Sequence, residues 1–314
     1  MSDALFQHSY YLAINFNDIL YGVELVLYCM TMQILLQDTK RTTSRTFFMF
    51  FSTVLLFLIT IYMSTEAVFG EEMWIVNADY PGGSAAWFAA NASVWYQTMG
   101  TTASVILNLF SDALLIYRCY ILWTDYRVIV FPSLLYLASL GLGIVELFIS
   151  GSPNGDFFAG EAAKLGTAYY TSTITLNITA TCIICGRIIY LGRGIESTAR
   201  GRHAARYTGT MSIVVESALP YSLSGIAFLV SYGMGSQISI LFGAFYGMFT
   251  CISPQMIILR VIKGHAWTKD KTAETALALQ SIGTSHDQGA ATNIDIEVGS
   301  RSDMKSDGGS VRGT

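Results

Sequence analysis

The sequence predicts an all-α fold, a bundle of seven transmembrane helices with its N-terminus outside and its C-terminus in the cytoplasm. Three observations carry that prediction. Of the 314 residues, 52% are hydrophobic and only 13% charged, against about 25% charged in an average soluble domain, and mean hydropathy is +0.46. Seven apolar stretches each reach the length of about 20 residues that a helix needs to cross a bilayer. The basic residues fall almost entirely on one side of those stretches. The net charge of -4 averages two sides of a membrane and restricts little.

In chain order the spans are about 12–36, 47–69, 95–123, 128–150, 167–190, 210–232 and 238–262. The third is bounded by Trp95 and Tyr96 at one end and by Tyr120 and Trp123 at the other, the aromatic belt expected at headgroup level. No basic front region precedes the first span, which is expected to act as its own insertion signal and not as a cleaved leader. Residues 37–46 hold Lys40, Arg41 and Arg45, the 124–127 turn holds Arg127, and residues 191–209 hold Arg193, Arg200, Arg202 and Arg206. The start of the tail adds Lys263, Lys269 and Lys271, eleven basic residues in all. The opposite side comprises 1–11, 70–94, 151–166 and 233–237 and holds only Lys164. The positive-inside rule makes the first side cytoplasmic.

The outer segment 70–94 carries Glu71, Glu72 and Asp79 and the turn Pro81-Gly82-Gly83, and it is long enough to fold over the bundle mouth. A second outer turn is signalled by Ser152-Pro153-Asn154-Gly155. Asn91-Ala92-Ser93 is a glycosylation sequon on the outer side, but it abuts the third span, which restricts access to it. Residues 1–264 therefore read as one transmembrane domain. Residues 265–314 read as a cytoplasmic, mostly disordered tail, because 281–314 is rich in Ser, Thr, Gly and Asp and cannot bury enough apolar area to order itself. Trp267 and Ala273–Leu279 leave two readings open, a short helix on the membrane surface or an unstructured linker.

Ionisable groups in hydrocarbon are costly, so they usually face the bundle interior and mark sites. Glu24 lies mid-span in the first helix, Asp112 mid-span in the third, and Glu216 in the cytoplasmic half of the sixth. Glu66 and Glu146 lie near outer helix ends, Arg118 and Arg187 near inner ones. Thr101, Ser104, Asn108 and Ser111 recur at helical spacing and make one polar stripe, which Asp112 borders. The fifth span carries a second stripe, Thr173, Asn177, Thr181 and Cys185. Such stripes either bond a neighbouring helix or line a wet cavity. Under the second use, Glu24, Thr101, Ser104, Asn108, Asp112, Thr173 and Asn177 are the candidates for a ligand or ion cavity.

Arg118 has a simple reading, a side chain snorkelling toward lipid phosphates. A sharper one pairs it with Glu216 as a switch between bundle conformations, with Arg187 as a competing partner. In the seventh span, Ser239, Gly243, Gly247 and Cys251 place a small residue every fourth position. That stripe contains a G-x-x-x-G and permits close helix approach. Packing within the bundle is the first reading and a homodimer face the second. Pro220 and Pro254 fall inside spans and favour kinks.

Several function classes lose support. No lysine lies between Ile238 and Leu259 to form a retinal Schiff base. His8, His203, His265 and His286 all fall outside the predicted spans, which disfavours a histidine-ligated metal site. No phosphate loop or nucleophile elbow is present, so neither an enzyme nor a cofactor is expected. The short basic loops read as topology signals and not as nucleic-acid surfaces. All five cysteines (Cys29, Cys119, Cys182, Cys185, Cys251) fall inside apolar runs. The Cys182/Cys185 pair therefore reads as packing and not as a redox or zinc site.

Ser93–Trp123, containing D-A-L-L-I-Y-R-C-Y, Leu219–Gly233 (LPYSLSGIAFLVSYG) and Ile252–Trp267 (ISPQMIILRVIKGHAW) resemble a large group of uncharacterised multi-pass membrane proteins from basidiomycete, mushroom-forming fungi. The resemblance covers about residues 10–268. It implies a membrane fold and carries no activity. The topology also resembles that of G-protein-coupled receptors, although the local motifs differ. Tyr117-Arg118-Cys119 stands where a rhodopsin-like receptor has an acid before its arginine. Ser253-Pro254 stands where that class has Asn-Pro, and Ile257 replaces its tyrosine. Shared topology does not establish function.

The leading expectation is a receptor-like protein, in the plasma membrane or an endomembrane, that senses a small or lipid-like ligand from outside. Its cytoplasmic signalling partner would meet 191–209 and the tail. Two alternatives stay open: a transporter coupling protons or cations through Glu24, Asp112 and Glu216, and a membrane scaffold without a ligand.

Overall fold

The computed structural model describes residues 3–37, 43–151, 160–196 and 204–263. No strand occurs among them. The helices are α1 (Asp3–Gln37), α2 (Thr43–Glu71), α3 (Gly83–Asn91), α4 (Trp95–Trp123), α5 (Tyr126–Ser150), α6 (Gly160–Glu196), α7 (Ala204–Gly233) and α8 (Ser239–Lys263). A π-helical turn, Glu72–Val76, extends α2. Residues up to Arg260 form one compact unit, and the remainder is described only through the last residues of α8.

Six helices are long and apolar enough to cross a membrane: Ala4–Gln37, Ser44–Val76, Trp95–Trp123, Tyr126–Ile149, Lys164–Tyr190 and Ser239–Lys263. Their outward faces carry large apolar side chains in the open, such as Phe57, Leu134, Leu137 and Phe148. Apolar surface on that scale requires a partner phase other than water, and the chain is an integral, multi-pass membrane protein. α7 is a further helix of 30 residues.

The packed pairs form a closed circuit. α1 packs on α2, α2 on α4, α4 on α5, α5 on α6 and α6 on α7. α8 closes it: Phe228 of α7 covers Gly243, and Phe16 of α1 meets Phe245 at 5.1 Å between ring centroids. α4 also crosses to α6 and to α8 through Asn108. Of the six spans, α8 has the most buried apolar stretch, in keeping with its small residues.

Short connections set neighbouring helices antiparallel. Thr124 takes a positive φ of 54° as the cap of α4, its N–H donating to the Tyr120 carbonyl (2.8 Å). Asp125 then caps α5 by accepting from the Arg127 N–H (3.0 Å). Helix boundaries agree with the sequence at α4, α5 and α8 within about two residues. α1 begins nine residues before the expected 12, because Phe6 and Tyr10 bury against Phe69, Met73 and Trp87. His8, expected outside the helices, therefore lies in α1. The outer segment 70–94 is not one loop. It holds the π-helical turn and α3, and Asn91 of the sequon donates its side-chain amide to the Trp87 carbonyl (2.9 Å). The helices run unbroken through Pro220 and Pro254. The 152–155 turn, the Arg200 and Arg202 part of the basic loop, the Ala273–Leu279 segment and the tail lie outside the described residues, as does the side chain of Glu216.

Candidate functional site

α4 collects most of the sequence candidates on its inner face. Asn108 donates to the Ser104 carbonyl (3.0 Å) through Nδ2. Its Oδ1 accepts from the Tyr246 hydroxyl (3.2 Å) and from Thr250 Oγ1 (3.4 Å), both of α8. The Tyr246 hydroxyl accepts in turn from that of Tyr221 (3.0 Å) and lies 3.0 Å from Thr173 Oγ1 of α6. α4, α6, α7 and α8 thus meet in one buried polar cluster. With no water in hydrocarbon to satisfy lone polar groups, the cluster orients Tyr246 and fixes the mutual register of the four helices.

Asp112, one turn beyond Asn108, is 1% exposed. Neither of its carboxyl oxygens has a hydrogen-bond partner. Tyr136, Tyr169, Tyr221 and Tyr246 lie within electrostatic reach of it. Glu24 is fully buried, and among the described residues it faces one weak donor, the Cys251 thiol of α8. The two acids therefore sit in different surroundings. Arg187 is held at the end of α4, donating through Nε to the Leu122 carbonyl (3.3 Å) and lying 4.9 Å over the Trp123 ring. The pairing of Arg118 with Glu216 lies outside the described side chains.

Toward the N-terminal end of α1 the bundle opens into a cavity of about 180 Å³. α2 contributes Tyr62 and Glu66, α4 contributes Gln97, Thr101 and Ser104, and α5 contributes Glu146. Tyr170 and Phe228 wall it, and Gly243, Ala244 and Gly247 of α8 leave room for it. Tyr10 and Phe88, part of the aromatic cluster that joins α1 to α3, complete the lining. Glu66 is held in place: it accepts from the Tyr10 hydroxyl (2.8 Å) and from Gln97 Nε2 (3.3 Å). Tyr246 lines the cavity as well, so the cavity and the Asn108 cluster share a side chain.

Of the sequence candidates, Thr101 and Ser104 line this cavity, and Asn108 and Thr173 connect to it through Tyr246. Asp112, Glu24 and Asn177 are buried outside its lining. The sequence places Glu66 and Glu146 near outer helix ends among the ionisable groups, but outside the candidate site. It missed Gln97, Ser239 as a lining group, and Tyr246. The available signal for Tyr246 was its place among the small residues of the last span. Compared with known proteins, the chain matches no family model, no curated protein and no solved structure.

Proposed function

We propose that this protein is a seven-span, receptor-like membrane protein, N-terminus outside, that takes a small ligand into the cavity between α2, α4, α5, α7 and α8. One observation carries the reading: the cavity shares Tyr246 with a hydrogen-bonded cluster that ties four helices together. A ligand that presses on Tyr246 acts on the register of those helices, which is how a binding event outside reaches the other face. The protein is read as non-catalytic and as resident in the plasma membrane, with the basic 191–209 segment and the tail as the surface for a cytoplasmic partner. The resemblance to basidiomycete membrane proteins fits this reading.

A transporter is the second reading. The observation favouring it is the pair of buried acids, Asp112 without a hydrogen-bond partner among the described residues and Glu24 facing only the weak Cys251 donor, a usual feature of proton and cation pathways.

A thermal-unfolding screen of the purified full chain tests the first reading, using lipids, sterols, inorganic ions and small polar metabolites. Each compound is run on the native protein and on Gly247→Leu. Gly247 lines the cavity, and a Cβ added there meets nothing within 4 Å, so leucine fills the space without a clash at that atom. A compound that stabilises the native protein and not the variant supports the reading. If every shift is equal in the two proteins, the cavity is not the ligand site. Proton-coupled uptake into liposomes that is lost in Asp112→Asn would favour the transporter.

A further inference from the structure

The cavity has a specific chemical character. Among the described residues its lining holds two carboxyl groups, Glu66 and Glu146, and no lysine, arginine or histidine. Glu66 already accepts from Tyr10 and Gln97. Glu146 is different. It is 5% exposed, and no hydrogen bond or ion pair engages its carboxyl group among the described residues. Two further polar atoms of the lining, Gln97 Oε1 and Ser239 Oγ, are buried without a partner among the described residues. Buried acceptors without donors are costly. Two such groups in one lining, beside two carboxyl groups, call for an occupant that brings N–H donors and positive charge.

The apolar part of the lining agrees. Tyr10, Tyr62, Phe88, Tyr170 and Phe228 surround the space, and aromatic faces attract cations most strongly when water is excluded. An ammonium carries three donors and a unit charge. An anion would meet two carboxyl groups and no basic side chain. The volume of about 180 Å³ is slightly above the roughly 150 Å³ of an engineered protein cavity that holds benzene, so the occupant is compact.

We propose that the cavity is a binding site for a small organic amine, whose ammonium is recognised by Glu146 together with Glu66, Gln97 and Ser239, and whose apolar part lies against the aromatic wall. This rests on the reading of the cavity as a ligand site and names the ligand class.

The test uses the purified full chain and radiolabelled benzylammonium in equilibrium binding at constant ionic strength. Unlabelled benzylammonium, benzyl alcohol and benzoate are the competitors. The alcohol keeps the size and ring but has no charge, and benzoate reverses it. The expected result is saturable binding that benzyl alcohol displaces at least about thirtyfold less well than unlabelled benzylammonium, and that benzoate does not displace. Glu146→Gln, checked for native helix content, should weaken the binding by a similar factor, the usual consequence of removing one side of a desolvated charge pair. Ser239→Ala should weaken it less. Equal competition by benzyl alcohol, with all binding lost in Gly247→Leu, would overturn the amine while leaving the cavity a ligand site. No saturable binding, or full affinity in Glu146→Gln, overturns the amine as well. In either case the wider screen decides separately whether the cavity takes any ligand.

Discussion

At the residue scale, Tyr246 has the most bonds to lose. Its hydroxyl joins Asn108, Tyr221 and Thr173, so Tyr246→Phe leaves Tyr221 without its acceptor and Asn108 Oδ1 with only Thr250. Inside a bilayer each such bond is modest, because the unfolded helices also find partners. The expected loss is about 1–2 kcal/mol, read from unfolding of the purified protein in mixed micelles. A variant as stable as the native protein would show that the cluster orients without stabilising. Glu24 gives the opposite expectation. Its carboxyl group is buried with only the weak Cys251 donor facing it, so Glu24→Gln removes a potential buried charge and leaves the volume unchanged. Stability should hold or rise in the same unfolding measurement. A marked loss would reveal a partner such as a bound cation. The polar stripe on α4 was legible because helical spacing alone puts Thr101, Ser104, Asn108 and Ser111 on one face. The partners of that stripe were not legible. Spacing says which residues share a face but not which helix the face meets, and a tyrosine in an apolar run looks like ordinary packing until its hydroxyl is placed.

At the element scale, α2 and α4 approach closely at Gly100. A Cβ there would collide with the Thr65 hydroxyl and approach Thr65 Cβ to 3.2 Å, and Thr65 is pinned by donating to the Tyr62 carbonyl (2.8 Å). Gly100→Ala should therefore cost about 1–3 kcal/mol, the usual penalty of overpacking. Thr65→Ala removes the hydroxyl and its branch, so the double variant should recover part of that loss. A double-mutant cycle with no coupling would show that the helices separate freely. The same region marks where sequence reading of elements stopped. Long apolar runs announced the spans, since length and hydropathy are local properties. α3 gave no such signal. It has nine residues, begins directly after Gly82, whose φ is +95°, and follows a Pro-Gly-Gly turn that reads as loop. Its helix is held by tertiary contacts, with Trp87 packed on Phe69 at 5.0 Å between ring centroids. Those contacts are distant in sequence. For the same reason the sequence places the first turns of α1 in the outer segment 1–11, ahead of the span.

At the scale of the whole molecule, the number of crossings decides which faces the two ends share. An even number puts both termini on one side, and an odd number separates them. α7 is the element on which that number turns. Its residues 219–232 lie among the other helices: Tyr221 bonds Tyr246 of α8, Phe228 stacks on the same ring at 5.9 Å, and Ile174 of α6 closes over Gly225. That packing between α6 and α8 is what a seventh crossing would require. Charge gives an independent argument. If α7 did not cross, the basic 191–209 segment and the start of the tail, with Lys263, Lys269 and Lys271, would face opposite sides, against the positive-inside rule. If it crosses, all the basic segments face the cytoplasm and the cavity opens outward. The expected outcome is that an epitope tag fused before Met1 is labelled on intact cells, whereas one fused after Thr314 is labelled only after permeabilisation. Labelling of both tags on intact cells, or of neither, would mean an even number of crossings. Labelling of the C-terminal tag alone would invert the bundle and turn the Glu66 and Glu146 cavity toward the cytoplasm, where its ligand would have to be an intracellular one.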